Sequence, residues 1–369
     1  MVLTGLRAVG ASPAEAASGL LAISVTQAVG MIYLSRRFRQ PITLAWSTPG
    51  AALLAGTGTV VGGWPAAVGA FVTVGVLVVI TGMWPRLGAL ITSIPTSLAQ
   101  AMLAGVLLPL CLAPVTAFAS SPAIIAPVVL VWLVLQRFSK RWAVPAAFGV
   151  AAVIIAIDVT AGGRVPDVAE LLPSISPTVP HWNWQAIVGI ALPLYIVTMA
   201  SQNIPGVAVM KSFDYDVPWR PAMTVTGIGT VIGAPLGGHT INLAAISAAL
   251  AAAPSAHPDP KRRWIAASAA GWFYLVLALC SAALATLVAV APAGVVETVA
   301  GLALLATLGA SLAGALKEES GREAAILTFV IAASGIGIVG IGSAFWALAV
   351  GLIVRWVLRP KPPSREPIE

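Results

Sequence analysis

Residues 64–83 contain no Asp, Glu, Lys or Arg, and the runs 121–136, 143–157 and 265–292 are equally free of charge. Uncharged apolar runs of about 18 residues or more mark helices that cross a bilayer, where every backbone polar group must be satisfied within the segment. The runs are broken mainly by Gly, Pro and Ser, without the alternation that a membrane β-barrel requires. With 59% hydrophobic and 9% charged residues and a mean hydropathy of +0.95, the chain has too little charge to clothe a soluble domain, which carries about 25%. The lipid bilayer is therefore its first partner, and its fold class is an all-α polytopic membrane protein.

Apolar runs and their breakers give thirteen segments, near 14–34, 42–57, 64–83, 94–113, 121–137, 143–160, 184–204, 221–236, 238–253, 264–290, 295–314, 323–340 and 342–358. Ser12, Pro13 and Glu15 make a capping box with proline at the first helical position, which fixes the start of the first. If the loop carrying Arg36, Arg37 and Arg39 is cytoplasmic and sides alternate, all of the 20 Lys and Arg residues except Arg7 and Arg164 fall inside. That asymmetry is what the positive-inside rule demands, and it predicts a cytoplasmic C-terminus. Residue 1 then lies outside, and residues 1–9 read as the tail of an apolar segment, so the first helix of the first half is expected to be missing.

The net charge of +7 sits in short loops and forms no basic stripe, which excludes nucleic acid as a partner. Cys111 and Cys280 fall inside apolar segments and have no metal-ligand or disulfide spacing. No cofactor is implied, and there is no plausible nucleophile–base set for an enzyme. Gly335-Ile-Gly-Ile-Val-Gly340 matches a dinucleotide fingerprint only as a string; without a βαβ context it reads as close packing or a tight turn.

Two segments are short and full of breakers: one from Pro41 to Leu54, the other from Pro235 to Ser247. Each opens at a proline, runs a few extended residues and turns to helix formers. Interrupted segments at matching places in two halves point to a transporter's substrate site. Ser47 or Thr48 can cap the first half-helix, with Pro49 at its first position; Thr240 or Asn242 can cap the second. Both ends would aim free N–H groups at the midplane and suit a small anion. His239 is the only ionisable group deep in a segment and is a candidate for proton coupling, or a neutral hydrogen-bonded group. Gln202 and Asn203 can face the same cavity or hold helices together. The lack of buried carboxylates disfavours a cationic substrate.

Ala45-Trp-Ser-Thr-Pro-Gly-Ala-Ala-Leu-Leu54, Thr198-Met-Ala-Ser-Gln-Asn-Ile-Pro-Gly206, Ala256-His-Pro-Asp-Pro260 with Arg263-Trp264, and Gly340-Ile-Gly-Ser-Ala-Phe-Trp346 resemble the benzoate:proton symporter (BenE-type) family. That family is similar in fold to the uracil-permease type, with two inverted repeats of seven segments divided into core and gate domains. The resemblance implies a first repeat over 1–183 (core part 14–83, gate part 94–160) and a second over 184–369 (core part 184–290, gate part 295–358). It implies a bacterial cytoplasmic (inner) membrane protein taking up benzoate or a similar aromatic carboxylate with a proton, by alternating access. Trp46 is then a ring contact, and Ser47, Thr48, Gly50, Gln202, Asn203, His239, Thr240 and Asn242 complete the substrate site. Nucleobase carriers of this fold use carboxylates where this chain has Gln202, Asn203 and His239, which disfavours a nucleobase. Another small organic anion, an anion channel, and assembly as a homodimer are left open.

Overall fold

Ser12 Oγ accepts a hydrogen bond from the Glu15 amide at 3.3 Å, and the Glu15 carboxylate accepts one from the Ser12 amide at 2.8 Å. The first long helix therefore starts with the reciprocal cap that its sequence specifies. The computed structural model describes residues 1–84, 86, 94–161, 171–244, 246–339 and 341–358, with Ile246 as backbone alone. Ala245, Gly340, Arg164, Arg359, Lys361 and Arg365 lie outside the described residues.

The first half comprises α1 (Val2–Ala8), α2 (Pro13–Phe38), β1 (Leu44–Trp46), α3 (Thr48–Thr57), α4 (Gly63–Met83), α5 (Thr96–Ser120), α6 (Pro122–Phe138) and α7 (Lys140–Ala161). The second comprises α8 (Trp184–Lys211), α9 (Trp219–Gly233), β2 (Ile241–Leu243), α10 (Ile246–Ala252), α11 (Trp264–Leu279), α12 (Ser281–Ala289), α13 (Val295–Leu316), α14 (Arg322–Ala333) and α15 (Ser343–Val357). Six of these helices, α2, α4, α5, α7, α8 and α13, are each long and apolar enough to cross a bilayer, and α11 with α12 forms a further span bent by 53°. Every expected segment is met by an element. One is shorter than expected: helix α14 stops at Ala333, and Gly335 (φ +66°) turns the chain into a hairpin closed by Ile338 and Ile341. Apolar character alone ran the reading on to residue 340, because Ile336, Ile338 and Val339 are apolar yet exposed in that hairpin.

Helix pairing displays the repeat. Helix α2 packs along α11, and α9 packs along α4; α6 packs on α7, and α14 on α15; α5 and α13 pack on each other. Exchanging each element for its counterpart in the other half maps these pairs onto one another, as two inverted repeats require. The α4–α9 contact is backbone to backbone. A side-chain carbon on Gly75 would stand 2.8 Å from the Gly227 carbonyl, and one on Gly227 would stand 2.7 Å from the Gly75 carbonyl. Only small residues permit such an approach between membrane helices.

Burial separates two bodies. Of the most apolar 18-residue stretch, 67% is buried in α2 and 61% in α4, against 22% in α7 and 28% in α13. The first pair belongs to an inner core built around α1 to α4, α8 and α9. The second pair, with α6, makes a separate apolar cluster whose outer faces meet lipid. Basic side chains are held by local contacts: Arg39 stacks on the Trp264 ring at 4.4 Å, and Arg355 makes a two-pronged ion pair with Glu318 at 2.7 and 2.9 Å.

Gly227→Leu should drive α4 and α9 apart. Overpacking costs about 1–3 kcal/mol, so a lower Tm in detergent is expected, while a leucine placed at the open Gly309 should leave Tm unchanged.

Candidate functional site

A strand inside a membrane domain carries backbone groups that cannot be left unpaired. β1 and β2 satisfy one another as an antiparallel pair, with Leu44 opposite Leu243, Ala45 opposite Asn242 and Trp46 opposite Ile241. The ladder extends at both ends: the Ser47 amide donates to the Thr240 carbonyl and the Ala244 amide to the Thr43 carbonyl, each at 3.0 Å. The two interrupted segments therefore cross at their strands, and each passes from strand towards helix beside the other. The register corrects the proline alignment. β2 opens at Ile241, not at residue 238 as the spacing from Pro41 implies, because Pro235 belongs to a single 3₁₀ turn that finishes α9.

Ser47 is the cap of α3. Its Oγ accepts from the Gly50 amide at 3.1 Å, which makes Thr48 the first helical residue and Pro49 the second. The same Oγ lies 2.8 Å from Thr198 Oγ1 on α8. Gly50 lies against Ser47 and the Leu194 side chain so closely that a methyl group has no room. The second half-helix differs from expectation. Neither Thr240 nor Asn242 caps α10, because Asn242 lies within β2 and Thr240 precedes it. The chain stays extended through Leu243 because β1 holds it there, and Asn242 sits mid-strand.

Helix α8 ties down both segments. It contains two π turns, Ile187–Ala191 and Met199–Asn203, a feature frequent at functional sites. From the second turn Asn203 Oδ1 accepts the Leu243 amide at 2.8 Å, while α9 contributes Thr230 Oγ1 to the Ile241 amide at 3.1 Å. Ser47, Asn203, His239, Thr240 and Asn242 are all buried, whereas Trp46, Thr48 and Gln202 are half-buried. The structure thus brings Trp46, Ser47, Thr48, Gly50, Asn203, Thr240 and Asn242 to the strand crossing, with His239 next in chain. Gln202 makes no side-chain hydrogen bond among the described residues. His239 is fully buried, and neither ring nitrogen has a partner among the described residues.

Thr198 and Thr230 escaped the sequence reading. Both are ordinary helix threonines by pattern, and their spacing to Ser47 and Ile241 exists only in the fold.

A cavity of about 450 Å³ opens beside the crossing. Leu20 and Trp46 line one wall, Leu277 and Leu284 continue it, and Phe148 of α7 and Val299 of α13 face them. Trp46 meets Tyr274 edge to face at 6.0 Å, which fixes the indole that borders the cavity. The lining is apolar and of a size suited to a small aromatic ligand.

Ser47→Ala removes the cap and the link to Thr198 together. Loss of an N-cap costs about 0.5–2 kcal/mol, so Tm should fall measurably. Gly50→Ala should abolish ligand binding to folded protein, read by calorimetry on the purified chain.

A model of the family described as benzoate membrane transport protein matches residues 1–357. The chain is 39% identical over 351 residues to the inner membrane protein YdcO of Escherichia coli (strain K12), covering 95% of this chain and 88% of that protein. It is 31% identical over 346 residues to the benzoate membrane transport protein of Acinetobacter baylyi, covering 93% and 87%. Among solved structures, the transmembrane domain of the cyanobacterial bicarbonate transporter BicA matches with a TM-score of 0.55 at 14% identity, covering 97% of this chain and 95% of that one. SLC26A9 matches with a TM-score of 0.57 at 15% identity, covering 96% of this chain and 63% of that one. These two likenesses concern the fold, which is the inverted-repeat arrangement described above. By a match along nearly its whole length and by two extensive relatives, the chain belongs to the benzoate membrane transport protein family.

Proposed function

We propose that this chain is a secondary active transporter that takes up benzoate or a similar aromatic carboxylate together with a proton, by alternating access. The observation that carries this reading is the apolar cavity bordered by Trp46, the residue that immediately precedes the Ser47 cap of α3. A ring needs an apolar, rigid slot, and a carboxylate needs donors. In the first turn of α3 the Gly50 amide is taken by Ser47 and Pro49 has no N–H, so the Thr48 amide and hydroxyl supply the donors, with a positive dipole end of about half a charge. The A. baylyi relative, named a benzoate membrane transport protein, supports the substrate class.

In this reading the core (14–83 and 184–290) carries the strand crossing as one body, and the gate (94–160 and 295–358) supplies the facing wall through Phe148 and Val299. Motion of one body against the other opens the cavity to alternate sides. His239 is the proton-linked group. It sits on the stretch leading into β2, so a change in its charge acts on the strand that pairs with β1. The protein resides in the bacterial cytoplasmic membrane with its C-terminus inside, as its basic loops favour.

Labelled benzoate uptake into proteoliposomes tests the reading: an inward proton gradient should accelerate saturable uptake, and gradient-independent flux would remove the coupling. His239→Gln should abolish the acceleration while leaving benzoate counterflow intact. Thr48→Val should raise the KM for benzoate about tenfold, the effect of one hydrogen bond to a charged group, with a small change in maximal rate.

A further inference from the structure

Helices α2 and α11 run antiparallel: Ala28 and Ile32 meet Gly271, Arg36 meets Ser268, and Arg39 meets Trp264. The end where α2 stops and α11 starts carries arginines that nothing above employs. Along the exposed face of α2, Val29 and Tyr33 give way to Arg36 and Arg37, which share that face at i+7 and i+8 from Val29. On α11 the exposed face runs back from Val276 through Phe273 and Trp272 to half-buried Trp264, with Lys261 and Arg262 exposed ahead of the helix. Apolar, then aromatic, then basic is the order met on passing from hydrocarbon to headgroups. The two helices cross that boundary side by side.

Rings hold these arginines in place. The Arg39 guanidinium lies 4.4 Å from the Trp264 ring centroid, that of Arg36 5.8 Å from Trp272, and that of Arg37 5.4 Å from Phe38. No other cation stacks on a ring among the described residues. Arg36 Nε also donates to Ser268 Oγ at 3.2 Å; Trp272 reaches that turn because helical side chains lean towards the helix N-terminus. Stacking occupies the face of a guanidinium and leaves the N–H groups along its edge free to donate. None of the three arginines meets a carboxylate among the described residues. Asp216, whose carbonyl accepts from Gln40, lies 3.7 Å from Lys211, and Asp259, ahead of α11, lies 4.0 Å from Arg262.

We infer that Arg36 and Arg39, with Arg37 beside them, form a site for the phosphodiester headgroup of an anionic phospholipid. The phosphate oxygens accept from the edges of the stacked guanidiniums in charge-assisted hydrogen bonds. The acyl chains lie along the exposed Val29, Phe273 and Val276. A free phosphate would use the charge and leave the aromatic and aliphatic surface beside it bare, whereas a lipid matches both. Bound across the seam, the headgroup ties the end of α2 to the start of α11.

The test is titration of the purified full chain in detergent with phosphatidylglycerol or phosphatidylcholine, reading bound lipid by native mass spectrometry and recording Tm. Phosphatidylglycerol should be retained and should raise Tm, and phosphatidylcholine should do neither; equal retention of the two overturns the site. Arg36→Gln combined with Arg39→Gln should weaken phosphatidylglycerol binding about twenty- to thirtyfold, because each basic residue at a membrane surface contributes about fivefold. Arg137→Gln combined with Arg141→Gln, which removes the same charge from the ends of α6 and α7, should leave that binding unchanged. Wild-type affinity in the first pair, or an equal loss in the second, overturns the inference. A rise in Tm with inorganic phosphate as large as that with phosphatidylglycerol assigns the site to a free anion and overturns the lipid. Should the first pair not fold, Arg39→Gln alone decides: about fivefold loss is expected, and unchanged affinity overturns the site.

Discussion

Pairing of β1 with β2 is the interaction on which the rest of the protein depends. A bilayer interior offers no water to an exposed backbone, so a chain that breaks its helices there must find partners within itself. Each three-residue strand is too short to form a sheet alone, and among the described residues each is the other's only strand partner. The crossing also sets the relation between the repeats, because an antiparallel pair has its own local two-fold axis, centred here on Ala45 and Asn242. The exchange of α2–α11 for α9–α4 and of α6–α7 for α14–α15 extends that local symmetry outward.

Segments were legible because their causes are local. An uncharged run of adequate length has few other folds open to it, and the box of Ser12 and Glu15 is a contact between near neighbours in sequence. The half-helix of α3 was legible for the same reason: Ser47 caps the helix it precedes. The second half-helix was misread, because Thr240 and Asn242 have the chemistry of caps, and the strand across from them keeps the chain extended through Leu243. Pro235 misled similarly, since a proline can open an extended stretch or end a helix, and the choice lies with Gly237 (φ +91°) and its packing under α2. Residues joined only across the fold, Thr198 to Ser47 and Thr230 to Ile241, left no mark in any local pattern.

Symmetry of backbone does not extend to chemistry. In the first segment a ten-residue helix follows its strand after one capping residue, Ser47, whereas the second strand is preceded by buried Thr240 and His239. Serine secures the first through its own side chain; asparagine secures the second from α8. The halves therefore share a scaffold while α3 alone presents a capped end next to Trp46. Buried His239 belongs to the other half, at the entry to β2. The proposed ligand contact and proton-linked group thus belong to opposite strands of one ladder, and a shift in either strand is felt by its partner through hydrogen bonds.

The proposed holding of an anion without a cation has a kinetic logic. Among the described residues, the only Lys or Arg that is buried is Arg263, and its guanidinium is engaged by the carbonyls of Ala252 and His257, at 2.7 and 2.8 Å. A full positive charge 4 Å from a carboxylate is worth about 4 kcal/mol at an effective dielectric of 20. A helix end, with about half a charge, offers about half of that. A carrier gains nothing from the tighter grip, because it must release its cargo on the far side in every cycle. Neutral donors and a dipole end give a shallower well, and they add no fixed charge to the wall that must slide past the gate. The apolar cavity then supplies the remaining affinity through the ring, by burial that needs no directional bond to break before release. In the proposed reading, selectivity between acid and neutral ring rests with the donors, and retention rests with the slot beside Trp46.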